Sequence, residues 1–160
     1  LVPAHYDLTD TARLLALANM AGCDAYIAGV DAKYHYGFWR PFHAIPLADT
    51  DGNTETEPDP FWTSLIPAPV HPDYISTHST FTGGSMRVLA LLLGDDTPFV
   101  VSSPALPNVT AEYDRFSDAA FEVGRSRVWG GIHFTTACEV GRAGGEANAD
   151  HAVTHELLSR

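Results

Sequence analysis

Between Thr9 and Trp39 the chain has no proline, and Leu14, Leu15, Ala18, Ala21, Ala25 and Ala28 recur near helical spacing. One long helix is expected there, with Pro41 ending it. Residues 46–72 carry no such period; they are rich in proline and hold the polar tract Asp49 to Glu57, which predicts an extended loop. A second helix is expected from Ser76–Ser79 to Leu93, stopped by Gly94 and the acidic pair Asp95-Asp96. After a Pro/Ser-rich connection, Ser117 is placed to cap a third helix through Arg127. Gly130-Gly131 break it, and a fourth helix is expected from His133 to Leu158, interrupted by Gly141 and Gly144-Gly145. No run of alternating polarity argues for a sheet, and no internal repeat is visible. The expected fold class is therefore all-α: a helical bundle with four principal helices and long Pro-rich loops, in a single helical domain over residues 1–160.

Charge narrows the partners. With 20 acidic against 9 basic side chains, the net charge of −11 disfavours nucleic acid and anionic membrane, because nothing resembles a basic stripe. Any anion site must be local and built against the field of the whole protein. Cys23 and Cys138 make neither a disulfide framework nor a zinc set, and their apolar helical surroundings predict two buried thiols. The longest aliphatic run, Val88 to Leu93, is too short for a membrane span. A first residue of Leu1 suggests a processed or truncated chain, so no compartment follows from its N-terminus.

Three short segments then suggest a pocket for a tetrahedral oxyanion. Lys33, the sole lysine, stands seven positions before Arg40-Pro41. That is about two helical turns, so both side chains are expected to project from one face at the end of the first helix. Ser76 to His78 lie at the expected start of the second helix, where free N–H groups and the dipole favour an anion. Arg127 and His133, six apart, would diverge on an unbroken helix, but Gly130-Gly131 let the chain turn between them. Lys33, Arg40 and Arg127 offer charge, Ser76 a hydroxyl and Thr77 its N–H, while His78 and His133 are available for proton transfer and for bonding the central atom. His35, His43, His151 and His155 are expected to have no catalytic role. Asp49 to Asn53 resembles the start of a calcium loop, but Gly52 is misplaced and Pro60 stands where a glutamate belongs. Asn108-Val-Thr110 is a glycosylation sequon only in a eukaryotic secretory setting.

These segments resemble the superfamily of type 2 phosphatidic acid phosphatases, bacterial acid phosphatases and vanadium-dependent haloperoxidases. Its pattern is Lys, six residues, Arg-Pro; then Pro-Ser-Gly-His; then Ser-Arg, five residues, His. Here it runs as Lys33 to Arg40-Pro41, Ile75-Ser76-Thr77-His78, and Ser126-Arg127 to His133. Ala44-Ile45, Asp59-Pro60-Phe61-Trp62, His71-Pro72 and Gly131-Ile132-His133-Phe134 look like the soluble bacterial haloperoxidase-like branch. The resemblance implies that Lys33, Arg40, Ser76, Thr77 through its N–H, and Arg127 hold vanadate, with phosphate able to occupy the same site. It implies His133 as the residue bonded to vanadium, His78 as acid/base, and Lys33 as the group that polarises bound peroxide. His71 matches a histidine of the bromoperoxidase branch and is a candidate supporting residue. By the same resemblance the partners are hydrogen peroxide and halide, or a small phosphate ester. The resemblance also implies a soluble protein in a periplasmic or secreted setting, and a chain that is the catalytic C-terminal part of a longer fold, with missing N-terminal helices or a homo-oligomeric partner.

The sequence departs from that pattern in two places. Ile75 and Thr77 replace the proline and glycine of the second motif, so a side chain is expected to crowd the oxyanion. Ala137 stands where an aspartate four residues after the last histidine would orient its imidazole, with Glu139 the only nearby candidate to substitute. Three readings stay open: a vanadium-dependent haloperoxidase, an acid phosphatase working through a phosphohistidine, and a catalytically eroded helical interaction module.

Overall fold

In the computed structural model, which describes residues 2–158, the first helix begins at a reciprocal cap. The Asp7 carboxylate accepts the Asp10 N–H at 2.8 Å and the Asp10 carboxylate accepts that of Asp7 at 3.3 Å, opening helix α1 (Leu8–Tyr36). It ends at Gly37, whose left-handed backbone (φ 58°) sends its N–H back to the Lys33 carbonyl. The helix therefore stops short of Trp39, and Arg40 does not lie on it. Lys33 occupies the last turn of α1, whereas Arg40 is the N-cap of the short helix α2 (Pro41–Ala44), so the expected shared helical face is replaced by a turn. The buried stripe of α1 is Leu14, Leu17, Ala18, Ala21, Ala25, Gly29 and Lys33, a three-to-four-residue period that places a lysine where the apolar pattern asks for a core residue.

A 3₁₀ turn (Ala48–Thr50) and an irregular segment lead to helix α3 (Thr77–Leu93), capped by Ser76 and ended by Gly94 as the sequence predicts. The segment beyond Gly94 is not purely irregular. Strands β1 (Phe99–Ser103) and β2 (Leu106–Tyr113) form an antiparallel hairpin with Phe99 opposite Tyr113. The hairpin escaped the sequence reading because almost all its side chains are exposed on both faces, leaving no alternation to detect. It is tied down through Phe99, whose ring stacks on Tyr113 and on Phe116, the first residue of α4 (Phe116–Trp129). Ser117 does not cap α4: its N–H and hydroxyl both bond the Asp95 carboxylate, at 2.9 and 2.7 Å, and Arg115 is the N-cap.

Helix α5 (Thr135–His155) runs without interruption, contrary to the expected breaks. Gly141 and Gly145 are seats for the backbone of α3. A Cβ at Gly141 would lie 2.8 Å from the Ser76 carbonyl, one at Gly145 would fall on the Thr80 carbonyl, and one at Gly83 would come 2.7 Å from the Arg142 carbonyl. Side-chain-free contact of this kind locks the start of α3 against α5, and the Ser76 N–H donates to the Ala137 carbonyl at 2.9 Å. Helix α3 thus sits at the centre, packed on α1, α4 and α5, with Leu17, Ala18, Ala21, Val88, Ala149 and Ala152 forming one apolar core at the end away from Ser76. Of the two cysteines, Cys138 is buried as expected but Cys23 is exposed.

Candidate active site

The C-terminal end of α1, the N-terminus of α3, the C-terminal end of α4 and the turn into α5 meet at one end of the bundle. Lys33 and Arg40 are almost fully buried there, at 1% and 2% exposure. Two cations out of water need fixed acceptors, and both find them in the loop before α3. Lys33 Nζ donates to the carbonyls of Pro72 and Asp73, each at 2.9 Å. Arg40 donates through Nε to the His71 carbonyl at 2.6 Å, through Nη1 to the Ile132 carbonyl, and through Nη2 to the Pro72 carbonyl at 3.4 Å and His71 Nδ1 at 3.1 Å. Since an ammonium carries three N–H bonds and a guanidinium five, one N–H on each remains uncommitted among the described residues. His71 thus holds the arginine by two atoms, its carbonyl and its ring nitrogen.

His133 follows α4 through Gly130 and Gly131, the latter at φ 72°, a turn that an L-residue resists. Its imidazole is buried, and Nδ1 lies 2.7 Å from Asp73 Oδ1, itself buried; the approach is close in distance without the alignment of a hydrogen bond, so Nδ1 and both Asp73 carboxylate oxygens have no hydrogen-bond partner among the described residues. Burial is the largest influence on His133 and lowers its pKa below the ordinary 6.5, outweighing the opposing pull of Asp73. The ring is neutral at pH 7, and the pair is an imidazole N–H against a carboxylate.

This contact corrects the expectation that Ala137 leaves His133 without a carboxylate. Asp73 supplies one from a different element, and Glu139, the residue considered as a substitute, is exposed on α5. Sequence reasoning passed over Asp73, although it is the only acidic residue between Asp59 and Asp95 and stands three positions before Ser76.

Ser76 accepts from the Ser79 N–H at 3.4 Å and from the Ser79 hydroxyl at 3.1 Å, which leaves its own O–H free to donate. Thr77 opens α3 with an N–H that no helical carbonyl precedes. Its methyl packs over Gly29 of α1, where a Cβ would come within 3.3 Å of it, so the absence of a side chain on α1 seats the extra bulk of Thr77. His78 is exposed at the mouth, lining a cleft of about 620 Å³ with His71, Thr77, Tyr26 and Phe81. Desolvation comes first and repulsion by the neighbouring positive charges, Arg127 foremost, comes next; together they lower its pKa below the ordinary value. Arg127, half-buried in the last turn of α4, touches Ser126 Oγ through Nε at 3.2 Å. His43, exposed on α2, borders a cleft with Arg40 and His71, while His151 and His155 stack on the exposed face of α5.

The family model described as the VCPO second helical-bundle domain matches residues 13–158. The chain belongs to the vanadium haloperoxidase family. A curated relative, the vanadium chloroperoxidase of Curvularia inaequalis, is 34% identical over 90 residues, covering 50% of this chain and 14% of that one. Among solved structures, a bacterial vanadium-dependent iodoperoxidase superposes with a TM-score of 0.77 at 30% identity, covering 90% of this chain and 33% of that chain. A bacterial vanadium-dependent chloroperoxidase in its apo form gives a TM-score of 0.75 at 19% identity over 92% of this chain and 37% of that chain, a likeness of fold. The chain therefore spans about a third of the length of these solved vanadium haloperoxidases and a smaller share of the curated one. Among the described residues no helix is long and apolar enough to cross a membrane.

Within this vanadium haloperoxidase domain the donor set suits an oxyanion. Lys33 and Arg40 are both buried cations, yet among the described residues the only buried carboxylate is Asp73, already turned to His133. One positive charge stays uncompensated in a dry site. Desolvation, and then repulsion by Arg40, pull Lys33 down to about 8 from 10.5, a strain that a bound anion would relieve.

Proposed function

We propose that this domain binds vanadate and serves the oxidation of halide by hydrogen peroxide, as the catalytic part of a longer fold. The observation that carries this reading is the pair of buried cations Lys33 and Arg40, one charge of which no buried carboxylate offsets among the described residues, beside His133 with Asp73 2.7 Å from its Nδ1. In this reading Lys33, Arg40 and Arg127 neutralise the oxyanion, the Ser76 hydroxyl and the Thr77 N–H donate to it at the helix N-terminus, and His133 Nε2 is the bonding atom. When bound, vanadate supplies a Lewis-acidic centre that activates hydrogen peroxide. His78, neutral near pH 7 and reachable from solvent, accepts and returns a proton at the mouth. His71 fixes the Arg40 guanidinium in place. Lys33, with one N–H uncommitted, would offer that N–H and its charge to an oxygen of the bound anion or peroxide.

The same pocket would serve phosphoryl transfer to His133, because vanadate and a phosphoryl transition state share one geometry. One paired assay separates the readings. Vanadate-loaded protein is tested for bromide and iodide oxidation with hydrogen peroxide, and vanadate-free protein for p-nitrophenyl phosphate hydrolysis. Halide-dependent peroxide consumption abolished by His78→Ala is the expected result. Hydrolysis alone would make the domain a phosphatase, and neither activity with vanadate bound would make it an eroded helical module.

A further inference from the structure

Asp73 touches the site through two different atoms. Its backbone carbonyl accepts Lys33 Nζ at 2.9 Å, and its carboxylate lies 2.7 Å from His133 Nδ1. Both side chains of the pair are essentially inaccessible, at 2% and 1% exposure. Ala137, from the first turn of α5, is buried as well. Asp73 and Ala137 together line a cavity of about 480 Å³ walled by Tyr36, Phe38, Tyr74 and Phe134.

A neutral imidazole has one N–H and one lone pair, and whatever accepts the N–H decides which nitrogen is free. A carboxylate 2.7 Å from Nδ1 favours the proton on Nδ1, which leaves Nε2 with the lone pair. Such a neighbour also raises the ring's basicity and holds its orientation.

We infer that Asp73 is the positioning residue of this site: reaching in from the loop before α3, it holds His133 as the Nδ1–H tautomer and does the work that position 137, an alanine on α5, cannot do. This inference rests on the oxyanion reading of the site for its consequence but not for its geometry. The two positions border one cavity, and position 137 stands four residues after His133, so the inference expects one carboxylate, from either position, to suffice. Two at once would put like charges together where both side chains are buried.

The test uses four proteins: the parent, Asp73→Asn, Asp73→Ala, and Asp73→Ala combined with Ala137→Asp. The first readout needs no oxyanion and no turnover. With ¹⁵N-labelled histidine, ring-nitrogen shifts report the tautomer of His133, assigned by comparison with His133→Gln. The second is affinity for orthovanadate, with inorganic phosphate as competitor. The parent is expected to show a single Nδ1–H tautomer. Asp73→Ala is expected to lose it and to bind vanadate about tenfold to a hundredfold more weakly. Asp73→Asn, which keeps the shape and an acceptor oxygen, is expected to retain the tautomer with a smaller loss, and it remains informative should Asp73→Ala fail to fold. Restoring a carboxylate at position 137 is expected to recover both the tautomer and the affinity. The inference is overturned if Asp73→Ala leaves the His133 shifts unchanged, whether or not affinity drops, since a drop alone would mean that only the carbonyl bond to Lys33 matters. It is equally overturned if both Asp73 variants lose the parent tautomer to the same extent, or if the carboxylate at position 137 restores neither readout. A parent that holds the tautomer but binds neither vanadate nor phosphate would sink the oxyanion reading and leave this inference standing.

Discussion

The Asp73 carboxylate and the His133 imidazole meet 2.7 Å apart with almost no exposed surface on either side chain, although 60 positions separate them along the chain. Removing one member of such a pair leaves the other dry and alone, which costs more than the pair contributes. His133→Ala is therefore expected to destabilise the fold by about 3 kcal/mol and to abolish vanadate retention. His78→Ala, at an exposed position, is expected to change stability by less than about 0.5 kcal/mol, to keep the anion and to lose turnover. Denaturant melts and a vanadate-retention assay on the two variants check this; equal loss of binding in both would reverse the assigned roles.

Adding a carboxylate at Ala137 while Asp73 is present should be harmful, because both would share one buried spot. Ala137→Asp in the parent is expected to lower stability and to raise the pKa of one of the two carboxyl groups. Had His133 lacked a carboxylate, as the sequence suggested, the same change would improve the site. A stability curve from pH 4 to 8 on parent and variant decides between them.

Lys33 gives the ligand-free protein a specific alkaline signature. Its folded pKa of about 8 lies below the ordinary 10.5, so between those values the unfolded chain binds a proton that the folded one does not. Stability from this group rises with pH across that window, and below it the buried charge costs on the order of 3 kcal/mol. The buried Cys138 thiol, pushed up by desolvation, slopes the other way above pH 9. The readout is therefore the difference between parent and Lys33→Met, which is expected to lose the rise. Phosphate binding to the parent near pH 8 to 9 is expected to take up protons, measured by calorimetry in two buffers of unlike ionisation enthalpy.

Much of the site was legible because its signals are local. Ser76 as a cap, Gly94 as a stop and the Gly130-Gly131 turn between Arg127 and His133 follow from backbone preferences readable over a few residues. Asp73 was not legible in the same way, since its partner is set by how α3 docks on α5 and no period runs through the proline-rich loop that carries it. Helix α5 failed for a related reason. Gly141 and Gly145 look like breaks in one dimension and are contact points in three.

Those contacts can be tested directly. Gly145→Ala would drive a Cβ onto the Thr80 carbonyl of α3 and is expected to destabilise by about 1–3 kcal/mol. Gly144→Ala, one position away on the exposed face with open space around it, is expected to stabilise by up to about 1 kcal/mol. Opposite signs at adjacent glycines, read from chemical denaturation, would establish α5 as one continuous packed helix.

The most direct test of the whole account is a crystal of the protein soaked with orthovanadate. The expected result is an oxyanion bonded to His133 Nε2, with Lys33, Arg40, Arg127 and the Ser76 hydroxyl around it, accompanied in solution by stabilisation of about 2.7 kcal/mol at a hundredfold excess over the dissociation constant. A thermal melt unmoved by millimolar vanadate or phosphate, with no density at His133, would contradict it.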